Sequence, residues 1–295
     1  MNNDHYIEFK KERDLGAIIT DTFTFLRTEG KPFLITVFKI SIVPILLAVA
    51  AILYYLFTVS DVLPKVNLSS TASNNNEFSS IGPMFLAMFL LGVFYILAYV
   101  SINIASMYYL KSYIDNKGVV DFDYVNEKVK NKFWSFLGLG ILIGLVVIVG
   151  AFLCFFPAVY LYITVSLAIP IFVFQDKPVM DAFGDSFSFI KGHWWETFGV
   201  MFVVGLLLAV LGYVFSVPAI IYQLINGFTS FTTDDPTEVL GLLSDPVYLI
   251  LNLLSYVGRF LFYAVSLVSS VFIYFDINEQ KNASGTLEEI NNLGQ

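Results

Sequence analysis

Residues 181–199 read DAFGDSFSFIKGHWWETFG. At helical period Ala182, Phe183, Ser186, Phe187 and Ile190 share one face, and Asp181, Asp185, Ser188 and Lys191 fall mostly opposite, as in a helix lying in a membrane surface. Trp194 and Trp195 follow where the chain enters a long apolar run, the depth that amphipathic rings prefer. The stretch predicts an interfacial helix leading straight into a membrane span.

The pattern recurs. Asp21-Thr22-Phe23-Thr24-Phe25-Leu26-Arg27 matches Asp185-Ser186-Phe187-Ser188-Phe189-Ile190-Lys191 in type at every position. A second gap-free register pairs Lys130 with Lys191, Trp134 with Trp195, Gly138 with Gly199, Gly144 with Gly205, Pro157 with Pro218 and Ala158 with Ala219. Lipid selects similar residues wherever a chain enters it, but does not demand shared Gly and Pro spacing. The reading is a threefold internal repeat over roughly 14–110, 121–174 and 178–275, each unit an interfacial helix followed by one span out and one span back.

Composition agrees. Hydrophobic residues make up 57% of the chain and charged residues 14%, with a mean hydropathy of +0.74, against roughly 25% charged in an ordinary soluble domain. A net charge of −8 would argue against nucleic acid for a soluble protein and says little for a membrane chain, whose topology depends on where Lys and Arg fall; no nucleic-acid partner is expected. A single cysteine, Cys154, excludes an intrachain disulfide framework and a Cys-based metal site. The fold class expected is an all-α polytopic membrane protein: one integral membrane domain over 1–295, six transmembrane helices and three interfacial amphipathic helices on the cytoplasmic side.

The first residues are polar and mixed in charge, with no cleavable signal expected. An interfacial helix runs from an N-cap at Asp14 to Arg27 and Lys31, and Pro32 marks the break into a first span over 33–58. Residues 59–81, with TASNNNEFSS, read as an exposed loop. The second span covers 82–110 and the second interfacial helix 121–132; spans over 133–155 and 158–174 form a hairpin turned tightly at Pro157. The fifth span begins at Trp194, the sixth lies between Val247 and Phe275, and 276–295 reads as a flexible cytoplasmic tail.

Orientation follows from the basic residues. Lys10, Lys11, Arg13, Arg27, Lys31, Lys111, Lys117, Lys128, Lys130, Lys132, Lys177, Lys191 and Lys281 fall in segments that one topology places inside, whereas the outer loops hold only Lys65. The positive-inside rule puts both termini in the cytoplasm.

Few residues invite chemistry. Lys39 and Arg259 are ionisable side chains within or beside spans, and such residues mark function by default. Lys39 is within snorkelling reach of the surface. Arg259 is mid-membrane if the last span starts near Val247, and an outer-surface anchor if it starts near Gly258. Asn103 and Asn252 bridge helices or line a path. Asp21, Arg27, Lys130, Trp134, Asp185, Lys191, Trp194 and Trp195 are the candidate interfacial residues. Gly140-x-x-x-Gly144, with Gly138 and Gly150, admits close helix approach, within the bundle or between copies. His193 and Glu196 share a face but fall short of a metal site. The sequence holds no Walker A loop, Gly-x-Ser-x-Gly elbow or His-Glu-x-x-His motif. No catalytic residue, cofactor or metal is expected.

The segment 181–199, with Pro170 in LAIPIFVF before it and YFDINEQ at the end of the last span, resembles the membrane domain of bacterial glycerophosphoryl diester phosphodiesterases and related bacterial inner-membrane proteins that contain this domain alone. The resemblance implies a bacterial cytoplasmic membrane and a role beside lipids or an envelope assembly. Hydrolysis does not carry over, because the sequence has no hydrolase domain. Two functions remain open: a non-enzymatic scaffold or subunit holding membrane lipids or a protein partner in the same membrane, and a transporter or lipid-handling protein with a cavity between repeats.

Overall fold

A computed structural model describes residues 6–62, 76–230 and 245–283, together with 285, 287 and 290; the side chains of 76–81, 227–230, 257, 259–262 and 264 are outside that description. The loop expected over 59–81 and the polar segment 231–244 therefore lie largely outside the described residues. The rest is helical: α1 (Leu15–Val62), α2 (Asn76–Asp115), α3 (Phe122–Leu153), α4 (Phe155–Ser166), α5 (Ala168–Phe174), α6 (Val179–Phe189), α7 (Trp194–Ser230) and α8 (Pro246–Asn282).

Five stretches are long and apolar enough to cross a membrane: Leu15–Val62, Gly82–Asp115, Phe122–Leu153, Phe155–Phe174 and Trp194–Asn226. The chain is an all-α integral membrane protein. The sixth expected span corresponds to α8, whose described apolar stretch, Pro246–Tyr256, is shorter.

The amphipathic segments form helices, but two of the three do not stand alone. α1 is one helix of 48 residues, ~72 Å at 1.5 Å per residue, and runs through Pro32 without the expected break. A proline removes one backbone hydrogen bond, here to the Thr28 carbonyl, and its fixed φ suits a helix; the loss is small where water or a neighbouring side chain reaches the freed carbonyl. Likewise the second segment continues into α3, which starts on Asp121: its carboxylate accepts from the N–H groups of Asp123 (2.9 Å) and Tyr124 (3.2 Å). Only the third, α6, is separate, closed by Gly192 at φ +93°.

The chain divides into two compact units. The first comprises 1–40, 100–208 and 263–295. Its core is the second half of α2, where every residue from Val100 to Ile114 is buried, Ser101, Asn103, Ser106, Lys111 and Ser112 included. α1 packs antiparallel to it, Phe33 against Tyr109 and Phe25 against Tyr113. Lys111 reaches out of this core to cap α5, its Nζ donating to the Val173 carbonyl (2.8 Å) and to Asp176 Oδ2 (2.7 Å). Lys281 does the same for α6, bonding the Ser188 and Phe189 carbonyls at 3.1 and 2.6 Å.

Phe9 and Arg13, in the segment before α1, also belong to this core. Arg13, its side chain 0% exposed, donates to Asp21 Oδ2 at 2.8 Å and to the carbonyls of Glu8, Phe9 and Lys11, and its guanidinium lies 4.7 Å from the Phe272 ring centre. The Arg13 N–H donates to Asp276 Oδ1 at 2.7 Å. Asp276 is buried within α8, as is Glu279, so the expected flexible tail starts no earlier than Asn282. Burial pushes the Asp276 carboxyl above the usual carboxylate range, against the lowering effect of the Arg13 N–H and Gln280.

The second unit comprises 41–99 and 209–262. It buries small residues (Ala48, Ala51, Ala87, Ala98, Ala219) and exposes large ones (Val43, Phe57, Phe89, Val214), the pattern expected when lipid is the solvent. Within it Ser255 Oγ lies 2.9 Å from the Phe215 carbonyl oxygen, and Gly258 admits the Phe215 ring so closely that a Cβ there would sit 2.4 Å from Cγ.

Candidate functional site: an aromatic cleft in the first unit

The cleft is built from three helices whose starts and breaks are local consequences of sequence. Cys154, in an extended conformation, separates α3 from α4, so the hairpin turns three residues before Pro157. Pro157 instead occupies the first turn of α4, where a missing N–H costs nothing. Gly150 lets the two helices close: a Cβ there would meet the Ala158 Cα at 3.0 Å and Leu161 Cδ1 at 2.8 Å. Nothing lies within 4 Å of a Cβ at Gly138, Gly140 or Gly144, so of the four glycines expected to admit close approach only Gly150 does so among the described residues. Pro170, unable to donate to the Ser166 carbonyl, accounts for the break between α4 and α5 at Leu167.

α4 and α7 run in the same direction. Trp194 stacks on Tyr160 (5.5 Å, 22°) with its Nε1 3.4 Å from the Tyr160 carbonyl oxygen, and seven residues on, Met201 Sδ lies 3.4 Å from Ser166 Oγ. The sequence separation holds at 34 and 35, the mark of parallel helices. Strict alternation of spans requires these two to be antiparallel. The structure therefore departs from the expected out-and-back order: the α3–α4 turn lies toward the same end of the first unit as the start of α7.

Between α4, α7 and α8 lies a cleft of about 630 Å³. Each helix lines it with one face: Phe155, Phe156, Val159, Tyr162 and Ile163 from α4, Trp194 to Leu208 at helical spacing from α7, and Ser266, Ser269, Ser270 and Ile273 from α8. Tyr160, Trp194, Phe198 and Phe202 form a ladder of stacked rings with centroids 5.5, 5.4 and 5.8 Å apart. Volume and lining suit a mostly apolar ligand of small-molecule size. A second, smaller space of about 180 Å³ in the other unit is lined by Ser216, Gln223, Asn252 and Ser255.

Of the residues singled out in the sequence, Trp194 and Trp195 line the cleft; Trp195 is 77% exposed and Trp134, elsewhere on α3, 74%. Asp21 pairs with Arg13 and, at 3.6 Å, with Lys11, while Asp185 pairs with Lys177 at 2.5 Å. Arg27, Lys39, Lys130 and Lys191 are exposed. Asn103 is buried and accepts from Tyr263 Oη at 2.7 Å, joining α2 to α8; Asn252 donates to its own helix at the Tyr248 carbonyl. The Arg259 side chain lies outside the described residues. His193 and Glu196 meet at 3.1 Å, and no cluster of metal-ligating side chains occurs among the described residues.

The face α6 buries also differs from expectation. Ala182, Ser186, Phe189 and Ile190 are buried against protein, Phe189 stacking on Tyr274, whereas Phe187 and Met180 are exposed. Protein rather than lipid takes the helix's main face, leaving a narrower apolar strip outward. The spacing of Ser266, Ser269 and Ser270 in SLVSS signalled a polar stripe on an apolar helix; the burial of Arg13 had no comparable signal.

No family model matches the chain, and neither curated proteins nor solved structures gave a match.

Proposed function

We propose that this is a non-enzymatic, lipid-handling membrane protein, and that its cleft holds an apolar chain of a membrane lipid. The observation that carries the reading is the cleft itself, two helix faces of mostly aromatic and aliphatic side chains and a third of serines and Ile273, with no ionised group among its lining. Charge supports it: of the 16 Lys and Arg residues all but Lys65 and Arg259 fall in the unit that contains the cleft. That unit is suited to anionic headgroup depth, and the positive-inside rule assigns it to the cytoplasmic side. The contact of Arg13 with Asp276 supports both ends of the chain on that side. A bacterial inner membrane is the setting implied by the resemblance noted above.

The test is quenching of tryptophan fluorescence in the purified Trp134→Phe protein, which leaves Trp194 and Trp195 as reporters. Phospholipid with brominated chains, titrated into detergent solution, should quench them saturably. Gly205 lines the cleft with open space at its Cβ, so Gly205→Phe should fill the cleft and abolish saturation. Equal, non-saturating quenching in both proteins sinks the reading. A second reading, a scaffold within an assembly, is favoured by the unoccupied Gly140–Gly144 face, and a stable companion protein on gentle purification would support it.

A further inference from the structure

We infer that the cleft selects its lipid through an ester carbonyl, and that the Ser266 hydroxyl donates the hydrogen bond that recognises it. The inference rests on the cleft being a chain-binding site and adds the chemical group that the chain must carry.

Tyr162, Trp194 and Trp195 bring a ring with a polar atom each to a lining otherwise aromatic and aliphatic on α4 and α7, and along α8 three aliphatic hydroxyls interrupt it. Two of these are engaged. Ser269 Oγ lies 3.1 Å from the Val265 carbonyl oxygen and 3.3 Å from Thr22 Oγ1, and Ser270 Oγ donates to the Leu267 carbonyl at 2.8 Å. Such bonds to the preceding turn are the ordinary fate of a serine in a helix. Ser266, one turn before Ser270 on the same face, makes no hydrogen bond among the described residues. It is half-buried in the cleft wall, where its neighbours offer little to accept from it.

A polar group left unpaired against apolar surroundings costs free energy until a partner arrives. The ligand that satisfies this wall is therefore an apolar chain bearing a neutral acceptor. In a bilayer that description fits the ester carbonyl of a glycerolipid, which lies just beneath the headgroups. The basic residues of the same unit, Arg27, Lys31 and Lys39 along α1 among them, are exposed as headgroup contacts require. A bare hydrocarbon chain leaves Ser266 unsatisfied, and a charged acceptor enters the apolar wall at a large desolvation cost.

The experiment compares two brominated phospholipids that differ only in linkage, a diester and a dialkyl ether, in the quenching titration of the Trp134→Phe protein. The diester should bind about 2- to 10-fold more tightly, the range for one net hydrogen bond. Ser266→Ala should erase that preference while leaving saturable quenching by both lipids, and Ser266→Thr, which keeps the hydroxyl, should retain it. Equal affinity for diester and ether in the parent overturns the ester inference and leaves the chain-binding reading standing. A preference that survives Ser266→Ala overturns the role of Ser266. Absence of saturable quenching by either lipid overturns the chain-binding reading and this inference with it.

Discussion

The ring of Phe9 lies flat on that of Phe272, centroids 4.1 Å apart and planes within 2° of parallel. Phe25, Tyr113 and Phe275 meet Phe9 edge to face at 5.8 to 6.2 Å. A residue upstream of the first helix thus completes the core of the first unit. Phe9→Ala should cost about 3–5 kcal/mol and free the segment before α1. Trypsin should then cut after Lys10, Lys11 or Arg13 much faster than in the parent, which gel analysis of a digestion time course will report.

Arg13 folds that segment by holding three of its carbonyls and Asp21 in one planar fork. A lysine keeps the charge but presents a single ammonium. Arg13→Lys should therefore be as protease-sensitive as Phe9→Ala, a result that charge alone would not produce.

Stability should depend on pH through Asp276. Its carboxyl is raised by burial, so the folded state holds the proton more tightly than the unfolded one. The contribution is fully present below the unfolded value of 3.8 and is lost as pH rises through the folded value. Asp276→Asn keeps an oxygen for the Arg13 N–H and removes the titration. Thermal unfolding in detergent should show the variant at least as stable as the parent at neutral pH, with a flatter profile above pH 4.

The two kinds of glycine on α3 should separate cleanly. Gly150→Ala forces a Cβ against the Ala158 backbone and should cost about 1–3 kcal/mol. Gly144→Ala, which meets nothing within 4 Å, should be neutral or slightly stabilising. Thermal unfolding of the two variants side by side decides it.

Lys111 caps α5 from a side chain only 11% exposed. Lys111→Met preserves the stem and deletes two charge-assisted bonds, each worth roughly 1.5–3 kcal/mol. Loss of thermal stability with retained quenching in the cleft would mark the residue as structural.

The class of fold was legible because lipid imposes a coarse, strong rule: long apolar runs become helices. What escaped was decided by contacts that periodicity does not encode. Pro32 sits in a helix because one lost hydrogen bond does not outweigh the helix on either side, whereas Pro170 accompanies a break. Trp194 and Trp195 were legible as residues of an entry point, but the partner of Trp194 is Tyr160 on a helix running the same way, and no pattern within α4 or α7 reveals relative direction. The serine stripe on α8 was present in the sequence; that Ser266 alone of the three makes no bond among the described residues needed coordinates. Lys39, Arg27 and Lys130 were singled out for their charge, and all three are exposed, so charge at those positions serves the surface.

Cys154, the sole thiol in the chain, sits exposed at the α3–α4 turn between Leu153 and Phe155, themselves 74% and 73% exposed. The native molecule therefore carries a ready attachment point for one probe at that turn, with no engineering. A nitroxide attached there would report immersion depth directly, since oxygen collects in hydrocarbon and hydrophilic nickel chelates do not.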